Sequence, residues 1–475
     1  MPNVLVPGVA ERVPPVGLLL DDGSEILRTR RGDVFVRFKQ GEHYETWRIE
    51  SNVARAKIMR VLRGQQHRAL THAQVEDEIH DLSGRAHHEA RIVSVFRRIG
   101  AVDGFVYIDL GDDDWHAIEV SPDGWRVIQE SPVVFERLGG MLALPQPEHG
   151  GDISELCPFV NVGSDDDFMA LVSFIVECFN PMGPYPLLVL NGPEGSAKST
   201  LAKVVRALVD PNSSPVRGEP RDAWSLMISA ESSRLLAYDN LSHVPQWLSD
   251  ALSGLATGNG YSVRRNYGNR EEEIFNAQVP IITTSITNLF TRGDLLSRSV
   301  ILRLPPIVRR RAERVFWEEF NAVSGRLLGV ILDGVAAALR NANRDFESPI
   351  RMADFAAWAA GASEAFGWNA EDALASLANR AEDNAGLAVD SAAMGRVLSE
   401  IAEAEFEGTN DELLRECERR VPAARRGVGW PSNARGMRNA VDRLEGSLQL
   451  GGYRILHRRA GGQRLVRLGR DVPAV

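Results

Sequence analysis

The apolar pattern of this chain changes period several times, and each change marks an element. Residues 33–49, DVFVRFKQGEHYETWRI, alternate apolar and polar positions on either side of a glycine, the signature of paired strands. Residues 70–91, LTHAQVEDEIHDLSGRAHHEAR, have helical character, and 105–128 return to alternation broken by the turn signals Gly-Asp-Asp and Pro-Asp-Gly. From about 155 to 310 the order is helix, unbroken apolar run, Gly-rich turn, helix and further short apolar runs, which predicts an α/β domain with a largely parallel sheet. Residues 311–400 turn alanine-rich and helical. The stretch 408–470 reads helix, helix, then a hairpin around Gly461-Gly462, the outline of a winged helix.

The expected organisation is therefore a poorly ordered lead-in (1–25), a mixed strand-rich domain (26–150) closed by LPQPEHGGDI as a linker, an α/β core (155–310), a helical region (311–400) and a C-terminal winged-helix-like module (408–470). A length of 475 residues suits roughly three domains. No apolar run is long enough to cross a bilayer, the N-terminus lacks the basic start of a secretory signal, and three scattered cysteines fit neither a disulfide framework nor a zinc site. These features predict a cytoplasmic protein with no membrane partner. A net charge of −10 argues against coating DNA with the whole surface but leaves room for local basic sites. His80, His87 and His88 read as a solvated helix face rather than metal ligands, because no Cys or carboxylate cluster stands at ligand spacing.

The chemistry centres on NGPEGSAKST, residues 191–200. A phosphate loop follows the spacing G-x-x-x-x-G-K-[ST]. Here Gly192, Pro193, Glu194, Gly195 and Ser196 lead to Ala197 in place of the second glycine, then Lys198, Ser199 and Thr200. The run YPLLVLNG precedes it as a buried strand and STLAKVVRALVD follows it at helical spacing, so backbone N–H groups and the helix dipole would face phosphates. Alanine at 197 is harmless if that position belongs to the first helical turn, and costly only if it needs a positive φ. Lys198 would reach the β- and γ-phosphates of ATP and Ser199 would ligate Mg²⁺. RLLAYDN then offers Asp239 at a strand end as the second metal-shell acid. VPIITTSI ends in Thr283, Thr284 and Ser285, where a hydroxyl could hold the attacking water. Arg298, before SVILRLP, reads equally as a surface arginine or as an arginine finger for a neighbouring subunit.

The order of phosphate loop, LLAYDN, the helix PQWLSDALSGLATG, the basic hairpin GYSVRRNYGNREEEIF and VPIITTSI resembles the superfamily III helicases, a branch of the AAA+ ATPases. More narrowly, the chain is similar to the helicase part of phage and mobile-element primase-helicases, in which the loop is commonly written G-S-A-K-S-T. The resemblance implies nucleotide binding by residues 192–200, Asp239 as the Walker B acid, Thr284 at the sensor position where many relatives have Asn, Arg298 as a trans-acting arginine, and a homo-oligomeric, commonly hexameric ring. Asn240 stands where many AAA+ proteins carry a catalytic Glu, which leaves the general base unassigned; an amide orients water but accepts no proton at neutral pH. No primase motif is recognisable, so priming would fall to a separate chain.

Two regions suit DNA. YSVRRNYGNR turns at Gly268-Asn269 and gathers Arg264, Arg265, Tyr267 and Arg270, phosphate contacts plus a stacking ring for single strands; a solvated loop balanced by Glu271–Glu273 is the alternative. In the C-terminal module Arg435, Arg438 and Arg443 share the second helix, with Arg454, His457, Arg458, Arg459 and Arg464 on the wing, a layout for duplex DNA that protein-binding modules also use. The function expected is an ATP-dependent helicase or translocase of a mobile element. The rivals are a DNA-responsive ATPase switch or loader, and a nucleotide-gated DNA-binding protein.

Overall fold

The computed structural model describes residues 18–20, 22–66, 71–258, 261–264, 272–275, 277–286, 289, 293–348, 350–391, 393–422, 430–450, 452–460 and 463–470. It is a mixed α/β structure built around a four-stranded parallel sheet. The order across that sheet is Leu236–Tyr238, Ile281–Ser285, Leu187–Asn191, Ser299–Arg303. Its central strand, Leu187–Asn191, is completely buried, as a parallel strand covered on both faces should be. Helices Asp165–Glu177, Lys198–Val209 and Glu313–Arg340 contribute one apolar core; Ala223–Glu231 and Gln246–Thr257 contribute a second, against Leu187, Val189 and Ile281.

The long helix Glu313–Arg340 is apolar enough and long enough to cross a membrane, yet most of its apolar stretch is buried inside the protein. Two of its glycines let another segment of the chain lie close against it. Residues 146–151, within the expected linker 144–153, lie along it: Glu148 N–H donates to Gly325 O at 3.0 Å. A Cβ at Gly325 would meet Gln146 O at 2.5 Å, and one at Gly329 would collide with Glu148 O. Trp125 stacks on His149 with ring centroids 3.8 Å apart and donates its indole N–H to Asp333 at 3.0 Å. Burial raises the Asp333 carboxyl above the ordinary aspartate value, against that hydrogen bond and the nearby His149 charge.

The segment 26–150 contributes to several cores rather than one. Strands Glu25–Arg28, Val34–Gln40 and His43–Arg48 pack with helices Asn52–Gln66 and His72–Glu89 around Ile26, Val36, Ile58 and Leu82. The antiparallel sheet Ile99–Val102, Phe105–Asp109, Ala117–Ser121 and Gly124–Ile128 instead shares its core with the long helix and the parallel-sheet domain. The lead-in is also partly structured: Leu18–Leu19 pairs with Glu25–Ile26, and Leu18 is buried.

The C-terminal region has its own core around Leu398, Leu413, Met437, Val441 and Val466. Helices Ala393–Glu403, Asn410–Arg420 and Ala434–Leu450 accompany a three-stranded antiparallel sheet. In that sheet Gln463–Arg470 lies between Phe406–Thr409 and Tyr453–Ala460. A capping box at Thr409 and Glu412 starts the Asn410–Arg420 helix.

Candidate functional site

All four parallel strands run the same way, so their C-terminal ends open on one edge of the sheet, where α/β folds place their sites. Asn191 and Gly192, Asp239, Thr284 and Ser285, and Arg303 and Leu304 emerge there together. The strand Ile281–Ser285 lies between the loop-bearing strand and the Asp239 strand, which sets Thr284 against both.

The loop turns through Gly192 (φ 158°) and Gly195 (φ 75°) before the helix starts at Lys198. A Cβ at Gly192 would meet Leu304 O at 2.6 Å and Ser196 Oγ at 2.7 Å, so glycine is required for the loop to close on the neighbouring strand. Asn161 braces it from outside, donating through Nδ2 to Ser196 O at 3.0 Å and to Pro305 O at 2.6 Å. Ser285 Oγ donates to Asn191 Oδ1 at 2.7 Å beneath it.

Ala197 takes the costly one of the two alternatives. It caps the helix at φ 63°, ψ 27°, in the left-handed region rather than in a first helical turn, so it occupies a position that favours glycine. Ala197→Gly should therefore raise stability by up to about 1 kcal/mol, as the relief of left-handed strain exceeds glycine's extra freedom when unfolded. The urea midpoint should rise; an unchanged or lower midpoint would mean that the loop carries no strain here.

Lys198 Nζ donates to Gly192 O at 2.8 Å and Pro193 O at 2.9 Å. Burial pulls its ammonium below the ordinary lysine value, while the charges of Asp239 and Glu194 oppose that fall. Asp239 is the convergence point of the site. Its Oδ1 accepts from Ser199 Oγ at 2.7 Å and from Thr284 Oγ1 at 2.6 Å, and Thr284 Oγ1 in turn accepts the Asn240 backbone N–H at 2.8 Å. Asn240 takes φ 55°, a conformation asparagine tolerates, and so turns the chain sharply after the acid. Thr283 points elsewhere, its hydroxyl buried without a hydrogen bond.

A carboxylate that sequence reasoning missed stands alongside. Arg217 makes an isolated parallel bridge to Tyr238, and Asp239 N–H donates to Arg217 O at 2.8 Å. Two residues further on, Glu219 accepts from Ser242 Oγ at 3.1 Å and lies 3.5 Å from His243 Nδ1, in the turn that follows Asn240. Nothing local in VRGEP signals this, because the pairing is long-range.

Arg298 lies at the opposite end of the sheet from the loop. Leu187 N–H donates to its carbonyl at 2.9 Å, one full strand away from Gly192. Strands Tyr261–Arg264 and Glu272–Phe275 pair antiparallel as the expected hairpin. Arg265, Tyr267 and Arg270 lie outside the described residues, as does the side chain of Arg264.

In the C-terminal region Arg438 pairs with Asp442 at 3.5 Å, His457 lies 3.7 Å from the same carboxylate, and Arg458 pairs with Glu407. Arg435, Arg454 and Arg464 are exposed and make no ion pair among the described residues. The side chains of Arg443 and Arg459 lie outside the described residues.

Residues 153–383 match the actinomycete integrative conjugative element replication protein family, and residues 393–473 match the C-terminal domain of the same replication protein. The two matches follow each other along the chain and take in roughly two thirds of it. The chain belongs to this replication-protein family. No curated protein matches it. Among solved structures, one titled SCCmec type IV Cch, active helicase, is similar at a TM-score of 0.46 and 12% identity, over 96% of this chain and 95% of that one. The apo NrS-1 C-terminal region is similar at 0.42 and 8%, over 95% and 97%. A JCV helicase is similar at 0.24 and 16%, over 36% and 55%.

Proposed function

We propose that this replication protein is an ATP- and Mg²⁺-dependent DNA helicase or translocase of the superfamily III, AAA+ type, working as a homo-oligomeric ring on single-stranded DNA. The observation that carries this is the convergence of the Ser199 and Thr284 hydroxyls on Asp239 beside a lysine-bearing loop. Hydroxyl and carboxylate are the hard oxygen donors Mg²⁺ prefers. Gly192 lets the loop close on Leu304 and Gly195 takes its left-handed turn, and Lys198 with the N-terminus of its helix stands beside them, so these residues fit a magnesium nucleotide.

Bound Mg²⁺–ATP would supply the phosphoanhydride and neutralise charge on the transferring group. Lys198 would exchange the carbonyls of Gly192 and Pro193 for phosphate oxygens. Ser199 would turn its hydroxyl from Asp239 to the metal, while Thr284, tied to the Asn240 backbone, keeps the carboxylate aimed. Glu219 is the proposed proton acceptor for the attacking water, a task the amide of Asn240 cannot perform. Glu219→Gln should lower turnover by about 100-fold or more and leave ATP affinity unchanged; equal turnover would remove Glu219 from the mechanism.

Arg298, on the loop-distal end of the sheet, is proposed to serve a neighbouring subunit's nucleotide. The hairpin 261–275 would follow single-stranded DNA, and the C-terminal region would act as a winged helix on duplex DNA through Arg435, Arg454 and Arg464. Its surface ion pairs at Arg438 and Arg458 are weak enough to exchange for phosphate. Priming would come from another chain. Strand displacement on a forked duplex tests the proposal: ATP-dependent release of the labelled strand is expected. DNA-stimulated hydrolysis without displacement would favour a switch or loader instead.

A further inference from the structure

The chain leaving the parallel sheet passes over the phosphate loop before it enters the long helix. Leu304 N–H donates to Asn191 O at 2.8 Å, Pro305 O accepts from Asn161, and Lys203 on the loop helix lies 3.9 Å from Glu313. Three arginines, Arg309 to Arg311, occupy this strap. Arg311 fastens it: its guanidinium donates to Glu319 at 2.7 Å and to Pro158 O, and lies over the rings of Phe159 and Phe316 at 5.6 and 5.0 Å. Arg310 faces the other way. Its Nη2 would stand 2.6 Å from a Cβ at Gly195, so it occupies the space that glycine leaves open in the middle of the loop.

We propose that Arg310 is a phosphate-contacting residue supplied by the same subunit as the loop, gripping the polyphosphate of the bound nucleotide from the strap side. This rests on the reading of the loop as an ATP site. The electrostatics support it. Lys198 and the positive end of the helix beginning there place positive charge beside Gly195, partly offset by Asp239 and Glu194, and Arg310 adds a third source with no carboxylate paired to it among the described residues. A polyanion is the ligand class that resolves this excess, and the planar guanidinium fork suits phosphate oxygens better than a lysine would. The side chain is exposed, so it moves to its ligand without disturbing the core.

The experiment is calorimetric titration of the full chain with Mg²⁺–ATP, using the wild type, Arg310→Ala, Arg310→Lys, Arg309→Ala and Lys198→Ala. Arg310→Ala should weaken ATP binding about tenfold, the size of one lost charge-assisted contact. Arg310→Lys should fall between it and the wild type, and Arg309→Ala should bind as the wild type. Melting without nucleotide should be unchanged in Arg310→Ala, while the rise in Tm on adding ATP shrinks. Wild-type affinity in Arg310→Ala, with binding lost in Lys198→Ala, would overturn the role of Arg310 and leave the ATP site standing. Equal weakening by Arg309→Ala and Arg310→Ala would reduce the effect to general charge and also overturn it. No binding by the wild type would remove the ATP site itself.

Discussion

Asp239→Asn is expected to lower ATP hydrolysis by about 100-fold or more while leaving the fold intact. The carboxylate is the one acceptor shared by Ser199 and Thr284, at 2.7 and 2.6 Å. Asparagine keeps its shape and one acceptor oxygen, so the hydroxyls retain a partner and the strand Leu236–Tyr238 retains its packing. What is lost is the negative charge that would hold Mg²⁺ against the transferring phosphoryl, which is worth several kcal/mol of transition-state stabilisation. Steady-state hydrolysis at saturating Mg²⁺ checks the first half and circular dichroism the second. Near-normal turnover in Asp239→Asn would take this residue out of the metal shell.

Arg98→Ala is expected to destabilise the protein by roughly 3–5 kcal/mol, the range for breaking a buried ion pair from one side. Arg98 is 1% exposed and holds a left-handed backbone at φ 60°. Its guanidinium donates to Asp210 at 3.2 Å and to the carbonyls of Asp109, Leu110 and Leu142 at 3.1, 3.4 and 2.7 Å. Asp210 ends the loop helix and also accepts the backbone N–H groups of Arg234 and Leu235, at 3.0 and 3.3 Å, just before the Asp239 strand. Arg98 therefore ties the sheet of residues 99–128 to both halves of the candidate site. Removing it strands several buried acceptors at once. The urea midpoint should fall clearly, and Arg98→Lys should rescue only part of the loss, since one ammonium cannot reach all the carbonyls that the fork reaches. A loss below about 1 kcal/mol would mean that Asp210 is held adequately by Arg206 and the backbone.

What could be read from the sequence was whatever lies in short, contiguous patterns. The loop at 192–200, Asp239 and Thr284 each sit at the end of an apolar run, and the parallel sheet brings those ends together as such runs require. The hairpin strands and the C-terminal succession of helices and strands were legible for the same reason. The rest depends on which distant segments touch. Residues 146–151 look like a linker by composition, but Gly325 and Gly329, one helical turn apart, open a bed for them on the long helix. Ala197 stood between two alternatives because no local pattern reports its φ. Glu219 gains its place only through the pairing of Arg217 with Tyr238. Arg310 lay inside a visible run of three arginines, and that run was the signal that could have drawn attention to it.

The most direct measurement is steady-state ATP hydrolysis by the wild type and Lys198→Ala, each with and without single-stranded DNA. Hydrolysis that DNA stimulates in the wild type and that Lys198→Ala abolishes is the result expected of a DNA-driven motor. ATP binding with no Lys198-dependent hydrolysis under either condition would contradict it, and would leave a replication protein that uses nucleotide only to gate its hold on DNA.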